Sequence, residues 1–241
     1  MLLKLTNPML LAKAVELISE LVTEVRLKVT EYGLSITAMD PANVAMVQYK
    51  LPRTAFAQFE ADSEELGVNL DDLKKILKRA SASSALILQK VQNSLTIEIQ
   101  DRIKRNFSLN LIEIESEDKE LPDLEFASRV ALASIDLIAS IEDCNVVDDA
   151  CSFIISNGKF IIEAKNMNSA RSEFSSDEAK IDAEDSKARY SLEYLQKFVK
   201  ASKLTDKTYL QFANDHPLKM DVQIGAMSLT YILAPRVETE D

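Results

Sequence analysis

The stretch Asn69-Leu-Asp-Asp-Leu-Lys-Lys-Ile-Leu-Lys-Arg-Ala-Ser81 returns 122 residues later as Ser191-Leu-Glu-Tyr-Leu-Gln-Lys-Phe-Val-Lys-Ala-Ser-Lys203. The offset is close to half of the 241-residue chain. In both copies the apolar residues recur every three or four positions, which is typical of an amphipathic helix with one buried face. Lysines fall at equivalent places in the two copies: Lys75 with Lys197, and Lys78 with Lys200. The repeat therefore predicts an internal duplication with a basic outer face on each helix.

Each copy also carries the signals of a helix start. Asn69 and Ser191 are residue types that cap helix N-termini through a side-chain oxygen. Acidic residues follow in the first turn and basic residues come later, which suits the helix dipole. We therefore expect a helix to begin directly after each of these two residues.

The repeat extends beyond the two helices. Strand-like runs downstream are equivalent in pairs: residues 86–89 with 208–211, and residues 95–99 with 218–222 after a shift of one. Gly33 and Gly158 each separate two further strand-like runs, and each half opens with a helical segment, 8–21 or 134–147. This order predicts an α+β fold of two similar domains, each with two helices packed on antiparallel sheet.

The chain length suits two domains of about 120 residues, each large enough for its own core. We place them at residues 1–114 and 128–241, joined by a connector at 115–127. The connector contains Glu115-Ser-Glu-Asp-Lys-Glu-Leu-Pro122, which is charged and lacks apolar periodicity. Such a composition is typical of an exposed segment between domains.

The composition is that of a soluble globular protein, with 46% hydrophobic residues and a net charge of −11. No apolar run reaches the ~18 residues of a membrane-spanning helix, and the N-terminus lacks a signal-peptide pattern. The two cysteines offer no disulfide framework, so we expect a reducing, intracellular compartment.

Residue patterns for catalysis, metal binding or cofactor binding are absent from the sequence. The only histidine, His216, precedes Pro217 and is interpreted as a turn residue without chemistry. Cys144 and Cys151 lack the additional ligands of a zinc site and are expected to be buried. Four glycines provide no phosphate-binding loop, and the acidic runs lack the spacing of a calcium loop. We therefore predict no catalytic residue, no metal and no cofactor.

The basic helix faces point to a polyanionic partner, because an acidic chain concentrates its bases there. The spacing alone is equally compatible with an ordinary solvated face. The sequence lacks basic-aromatic clusters for base stacking and any recognition-helix motif. A nucleic acid would therefore be contacted through its phosphates, without sequence readout.

Three motifs and the repeat together resemble one family. The motifs are Ala38-Met-Asp-Pro-Ala-Asn-Val-Ala-Met-Val47, the Leu-Pro-x-x-x-Phe pattern at 121–126, and Tyr231-Ile-Leu-Ala-Pro-Arg-Val237. In this order on a duplicated chain they resemble the archaeal and eukaryotic DNA sliding clamps, the proliferating cell nuclear antigen family. The resemblance covers essentially the whole chain.

The resemblance implies a DNA-clamp fold that assembles as a pseudo-sixfold ring of three subunits. Helices would line the hole and sheets would form the outer wall. Such a ring encircles double-stranded DNA without sequence preference, and a separate clamp loader opens it. DNA polymerase, flap endonuclease and DNA ligase would dock through short aromatic motifs. The protein would not be an enzyme, would not bind membranes, and would act in the archaeal cytoplasm and nucleoid or the eukaryotic nucleus.

The resemblance also assigns roles to residues. The DNA-binding residues would be Lys13, Lys74, Lys75, Lys78, Arg79, Lys197, Lys200 and Lys203. The partner-binding residues would be Met39, Val44, Met46, Leu121, Leu124, Phe126, Pro217, Tyr231, Ile232, Leu233, Ala234 and Pro235. The subunit interface, at sheet edges near 107–114 and 171–175, would include Phe107, Leu109, Leu111, Arg171 and Phe174.

One segment departs from the family pattern. Residues 134–147 contain no Lys or Arg, where relatives usually carry bases, and instead include Asp136, Glu142 and Asp143. DNA would then prefer the other three helices. Three alternatives stay open: a protein-interaction scaffold that does not bind DNA, a carboxylate-based hydrolase, and a subunit of a heterotrimeric ring.

Overall fold

The computed structural model describes residues 1–115 and 119–237. It divides into two compact units. The first comprises Met1–Pro41, Val47–Leu121 and Ile224–Leu229, and the second Ala42–Met46, Pro122–Gln223 and Thr230–Asp241. The domain bounds drawn from the sequence stay a prediction. Residues 116–118 of the predicted connector and residues 238–241 of the predicted second domain lie outside the described residues.

The described residues form four α-helices, two in each unit. They are α1 (Met9–Ile18), α2 (Leu70–Leu77), α3 (Ser134–Asn145) and α4 (Leu192–Ser202). The Asn69 side-chain oxygen accepts a 3.2 Å hydrogen bond from the Asp72 backbone N–H, which confirms the predicted cap of α2. Helix α4 begins directly after Ser191, which confirms that residue as the predicted N-cap, but the Ser191 side chain makes no capping hydrogen bond.

In the first half of the chain the described residues form nine strands and a short 3-10 helix at Arg53–Ala55. The strands are β1 (Leu2–Leu5), β2 (Glu24–Thr30), β3 (Gly33–Met39), β4 (Ala45–Pro52), β5 (Gln58–Glu60), β6 (Glu64–Asn69), β7 (Ala85–Val91), β8 (Ser94–Gln100) and β9 (Lys104–Asn110). One group follows the order β5-β1-β7-β8-β9 and the other β4-β3-β2-β6. The pairs β1–β7, β7–β8 and β8–β9 are antiparallel.

The second unit repeats this plan. Its strands are β10 (Ser128–Ala133), β11 (Ala150–Ser156), β12 (Lys159–Lys165), β13 (Ser169–Phe174), β14 (Ala179–Ala183), β15 (Ser186–Ser191), β16 (Lys207–Phe212) and β17 (Leu218–Ile224), and β18 (Met227–Leu233) follows along the chain. The orders β14-β10-β16-β17 and β13-β12-β11-β15 match β5-β1-β7-β8 and β4-β3-β2-β6 of the first unit. The predicted α+β duplication is therefore confirmed in the topology.

Helices α2 and α4 bury the apolar stripes that their sequence patterns predict. In α2 the buried residues are Leu70, Leu73 and Leu77, and in α4 they include Leu192, Leu195, Phe198 and Val199. Each fully buried side chain of this size contributes about 1.5–3 kcal/mol of hydrophobic free energy. The opposite faces, which carry the lysines, are left for solvent or a partner.

Strands β9 and β13 lie at the edges of their strand groups. Their positions agree with the sheet edges predicted near 107–114 and 171–175, but β9 ends at Asn110. Beyond it the Leu111 backbone N–H donates to Asn93 O at 3.0 Å and the Ile112 N–H donates to Gly67 O at 2.9 Å. Residues 111–114 therefore do not continue the edge strand, because their backbone turns to partners within the same unit.

Candidate nucleic-acid interface and docking segment

The basic residues predicted in the first unit lie on or directly after its two helices. Lys13 is exposed on α1, Lys74 is half-buried on α2, and Lys75 is exposed. Lys78 is the C-cap of α2 and Arg79 follows it, both exposed. The helix therefore ends at Leu77, earlier than the repeated stretch predicts, and Lys78 and Arg79 lie just beyond it.

Two lysines of α2 form ion pairs with aspartates of the same helix. Lys74 Nζ lies 2.9 Å from Asp71 Oδ1, and Lys75 Nζ lies 2.9 Å from Asp72 Oδ1. Lys74 lowers the pKa of the Asp71 carboxyl, and Asp72 raises the pKa of the Lys75 ammonium, each mainly through this hydrogen bond. Pairs at i,i+3 on an exposed helix are weak, so the lysines remain available to a stronger anion.

Glu16 of α1 is a residue that the sequence-based assignment missed. Its carboxylate lies 2.9 Å from Lys13 Nζ and 3.8 Å from Lys78 Nζ. The hydrogen bond from Lys13 holds the pKa of Glu16 below its usual range, with further attraction from Lys78 and Lys74. The i,i+3 spacing could have revealed the pair with Lys13, but the link to Lys78 requires the packing of α1 beside α2.

The predicted cations of the second unit belong to α4. Lys197 and Lys200 lie on the helix and Lys203 is its C-cap. Lys197 Nζ lies 3.1 Å from Glu193 Oε1 and 5.1 Å from the centre of the Tyr194 ring. Lys203 Nζ lies 3.8 Å from Glu142 Oε1 of α3, so the acidic helix supplies a partner to the basic one.

Helix α3 exposes the acidic face that its sequence predicts. Asp136, Glu142 and Asp143 are exposed, and Ile135 and Val146 have 74% and 86% of their surface exposed. The face therefore mixes carboxylates with apolar side chains and carries no cation. Its chemistry differs from that of α1, α2 and α4, and it would repel phosphates.

The second unit also contains part of the predicted docking segment. Phe126, which precedes β10, meets the His216 ring edge-on, with ring centres 5.5 Å apart at an interplanar angle of 84°. The His216 carbonyl accepts a 2.7 Å hydrogen bond from the Tyr190 hydroxyl, and Pro217 beside it is half-buried. The sequence pattern predicts no role for His216, because nothing local signals a ring contact across 90 residues.

The partner-binding residues predicted in this unit separate into two groups. Four are buried within the chain itself: Met46, Tyr231, Ile232 and Leu233. Tyr231 stacks on Phe198 of α4, with ring centres 4.4 Å apart, and so belongs to the core. Six are half-buried and accessible: Val44, Leu124, Phe126, Pro217, Ala234 and Pro235. The Ala234 N–H donates to Val44 O at 2.9 Å, which joins two of the predicted segments.

Two further predicted partner-binding residues fall in the first unit. Met39 ends β3, and Leu121 lies in the segment after β9. Both are half-buried, so each offers apolar surface to a ligand.

The predicted interface residues lie on or near the two edge strands. Phe107 and Leu109 belong to β9, Leu111 follows it, and Arg171 and Phe174 belong to β13. Leu109 and Phe174 each expose only 7% of their surface, and Phe174 stacks on Phe160. The Arg171 guanidinium binds Glu163 at 2.7 Å and Glu173 at 3.2 Å.

Across residues 1–115 and 119–237, no three or more His, Cys, Asp and Glu side chains are grouped so as to hold a metal ion. Cys144 and Cys151 are buried free thiols, as predicted, and burial raises the pKa of Cys151. None of the helices within these ranges has the length and hydropathy needed to cross a membrane.

Comparison with known families decides the assignment. The family model described as proliferating cell nuclear antigen, N-terminal domain, matches residues 1–120, and that of the C-terminal domain matches residues 120–237. The chain belongs to the proliferating cell nuclear antigen family. The two matches meet at residue 120, near the middle of the chain.

Relatives from two archaea agree with membership of the clamp family. The Pyrococcus horikoshii protein named DNA polymerase sliding clamp is 37% identical over 236 residues, 94% of each chain. The Thermococcus kodakarensis DNA polymerase sliding clamp 1 is 38% identical over 228 residues, 91% of this chain and 92% of that one.

Solved structures of the family share the fold. The proliferating cell nuclear antigen of Entamoeba histolytica has a TM-score of 0.91 at 25% identity, covering 98% of both chains. A structure of the PCNA2-PCNA3 complex from Sulfolobus tokodaii has a TM-score of 0.88 at 22% identity, covering 99% of this chain and 100% of that one. The predicted clamp fold is therefore confirmed.

Proposed function

We propose that this chain is a sliding-clamp subunit, and that three copies form a ring which encircles duplex DNA and keeps a DNA polymerase on its template. Membership of the clamp family supports DNA, polymerase and self-association as the partners. The observation that carries the DNA part is the repeated lysine pair of α2 and α4, Lys75 with Lys197 and Lys78 with Lys200.

Such a ring works without chemistry of its own. Lysines on short helices contact phosphates, which carry no sequence information, so the ring can occupy any duplex. Each contact depends on the salt concentration, because it releases counterions from the DNA. Each contact is also weak, so it does not fix the ring at one position. Enclosure supplies the retention on DNA, so low affinity per contact permits movement along the duplex.

Other partners dock on the half-buried apolar residues around Phe126. Polymerase, flap endonuclease and ligase each present a short motif with aromatic side chains, which fit a surface of this kind. A separate loader opens the ring, and the protein acts inside the cell, where its DNA is. This set of accessible apolar side chains beside a segment without helix or strand supports a docking role.

The DNA contact can be tested by its salt dependence. We expect replacement of Lys75, Lys78, Lys197 and Lys200 by alanine to weaken retention on duplex DNA equally for all sequences. The slope of log affinity against log salt concentration should fall by about 0.9 for every phosphate that the variant no longer neutralises. The measurement is equilibrium binding of the ring to linear duplex DNA across a salt series, because enclosure alone would retain the ring on a closed circle.

A matched control carries four alanine substitutions at lysines on strands, namely Lys28, Lys90, Lys180 and Lys219. The change in net charge is identical, but we expect a much smaller change in slope. Equal slopes for the helix variant and the unmodified protein would mean that the helix lysines only solvate the surface. The DNA-binding role would then be wrong.

A further inference from the structure

One carboxylate lies between two of the proposed DNA-binding lysines. Glu16 Oε2 is 2.9 Å from Lys13 Nζ on the same helix, and its Oε1 is 3.8 Å from Lys78 Nζ at the end of α2. The three side chains are 40% to 61% exposed, so the cluster is open to solvent. Each oxygen of one anion thus faces a different ammonium group.

The electrostatics of the cluster keep Glu16 ionised. The hydrogen bond from Lys13 lowers the pKa of its carboxyl, and Lys78 and Lys74 add attraction. At neutral pH the group is therefore an anion held by two cations. A DNA phosphate presents the same features, since it is an exposed anion whose oxygens accept from lysine ammonium groups.

We propose that Glu16 is a built-in competitor of the DNA phosphate, occupying the place between Lys13 and Lys78 where a phosphate binds. The proposal rests on the proposed function, because it requires DNA to reach these helices. When a phosphate arrives, it displaces the carboxylate from one or both lysines. When the DNA moves, Glu16 recaptures them, so each phosphate contact is short-lived.

The position of Glu16 makes this role different from that of the acids within α2. Asp71 and Asp72 each bind a lysine three residues ahead on their own helix. Glu16 instead links α1 to the end of α2, and a phosphate that replaced it would touch both helices at once. Exposed ion pairs of this kind are weak enough to open repeatedly.

The decisive variant is Glu16→Gln, which removes the charge and keeps the size of the side chain. We expect the ring to bind duplex DNA about threefold to tenfold more tightly at moderate salt. The salt slope should steepen by up to about 0.9 per subunit, because Glu16 no longer holds the two lysines for part of the time and the phosphate contact is made more fully. The measurement is equilibrium binding of the trimer to a duplex of fixed length across a salt series.

The control is Glu65→Gln, which makes the same charge change at a strand residue whose oxygen lies 3.5 Å from Lys28 Nζ. We expect a much smaller gain. Adding Lys13→Ala and Lys78→Ala to Glu16→Gln should abolish the gain, because the freed lysines cause it. Glu16→Ala should behave like Glu16→Gln. This second variant distinguishes loss of the charge from a folding defect that glutamine alone would cause.

Two results would overturn the proposal in distinguishable ways. If Lys13→Ala with Lys78→Ala weakens DNA binding but Glu16→Gln gains no more than Glu65→Gln, Glu16 does not compete and the DNA surface stands. If the lysine variant and the four-lysine variant of α2 and α4 both leave binding unchanged, these helices do not contact DNA. The proposed function then fails together with the competitor.

Discussion

At the scale of single residues, Phe126 is the proposed anchor for a docking partner. It is half-buried, lies in a segment without helix or strand, and rests edge-on against His216. A half-buried aromatic side chain leaves part of its surface accessible to a ligand, while the neighbouring ring restricts its rotamer. Anchors of this type contribute most of the free energy at peptide-binding surfaces.

We expect Leu124→Ala combined with Phe126→Ala to weaken binding of a short peptide with a glutamine and two aromatic residues by about 2 kcal/mol or more. Calorimetric titration measures the change in affinity. His216 is the only histidine of the chain, so the Hε1 proton of its ring gives a single NMR signal, which should shift when the peptide contacts Phe126.

Control substitutions at two exposed apolar residues of the first unit, Tyr32→Ala and Val91→Ala, should leave peptide affinity unchanged. The trimer mass should also be the same in every variant. Undiminished affinity in the Leu124 and Phe126 variant, or a His216 signal whose chemical shift does not change, would place the docking surface elsewhere.

At the scale of elements, the duplicated hairpins show how equivalent positions acquire different constraints. Gly33 and Gly158 occupy matching turns and both have positive φ, +139° and +74°. A Cβ on Gly33 would lie 2.2 Å from the Leu51 carbonyl oxygen, whereas a Cβ on Gly158 would meet nothing within 4 Å. Only the first hairpin is packed tightly against neighbouring backbone.

We expect Gly33→Ala to destabilise the protein by several kcal/mol, because backbone must shift to relieve the clash. Gly158→Ala should cost only the strain of a left-handed alanine, about 1–2 kcal/mol. Denaturant unfolding of the two variants measures the difference. Similar losses of stability in both would show that backbone conformation, rather than close packing, sets the cost at Gly33.

Helix α3 gives a second prediction at this scale. Asp136 and Asp143 are seven residues apart and both exposed, so they lie on one face about two turns apart. We expect Asp136→Lys with Asp143→Lys to strengthen non-specific DNA binding severalfold, because two repulsive charges become attractive. Gel-shift assays at a series of salt concentrations measure the change.

The same charge change at Asp177 and Asp182, a turn residue and a residue of β14, provides the control. It should alter DNA affinity much less. A gain of equal size in both variants would indicate a general effect of net charge, and the acidic face of α3 would have no special relation to DNA.

At the scale of the whole molecule, the predicted association of copies rests on the two edge strands. Unpaired edges invite pairing with another strand, and a closed ring would cover both β9 and β13. Leu109 is buried within its own unit, so a charge there would unfold the chain rather than test the interface. Asn106 and Ser108 are exposed on β9 and are the better positions.

We expect Asn106→Asp with Ser108→Asp to yield folded monomers. The added charges lose their hydration in a strand-to-strand interface, and β13 already carries Glu173 on its exposed surface. Light scattering measures the mass and circular dichroism checks the fold. Ala82→Asp with Ser83→Asp, in the turn after α2, should remain trimeric; a trimer in both variants would contradict the edge assignment.

The sequence alone determined the duplication, the helix faces and the family. Apolar spacing is a local property of the chain, and so the order of residues is enough to place Asn69 at a helix start and Leu70, Leu73 and Leu77 on a buried stripe. The order of motifs along two similar halves likewise needs no coordinates. Family membership followed from these local patterns, and the comparisons confirm it.

Only the tertiary structure decided which side chains of the predicted surfaces are free to act. Tyr231 and Met46 match the docking motif in sequence, yet they are buried, because packing against residues far along the chain sets their exposure. Glu16 reaches Lys78, and Phe126 reaches His216, across long sequence separations for the same reason. A periodic pattern specifies which face of an element is apolar, whereas contacts between elements depend on the three-dimensional arrangement that the whole chain adopts.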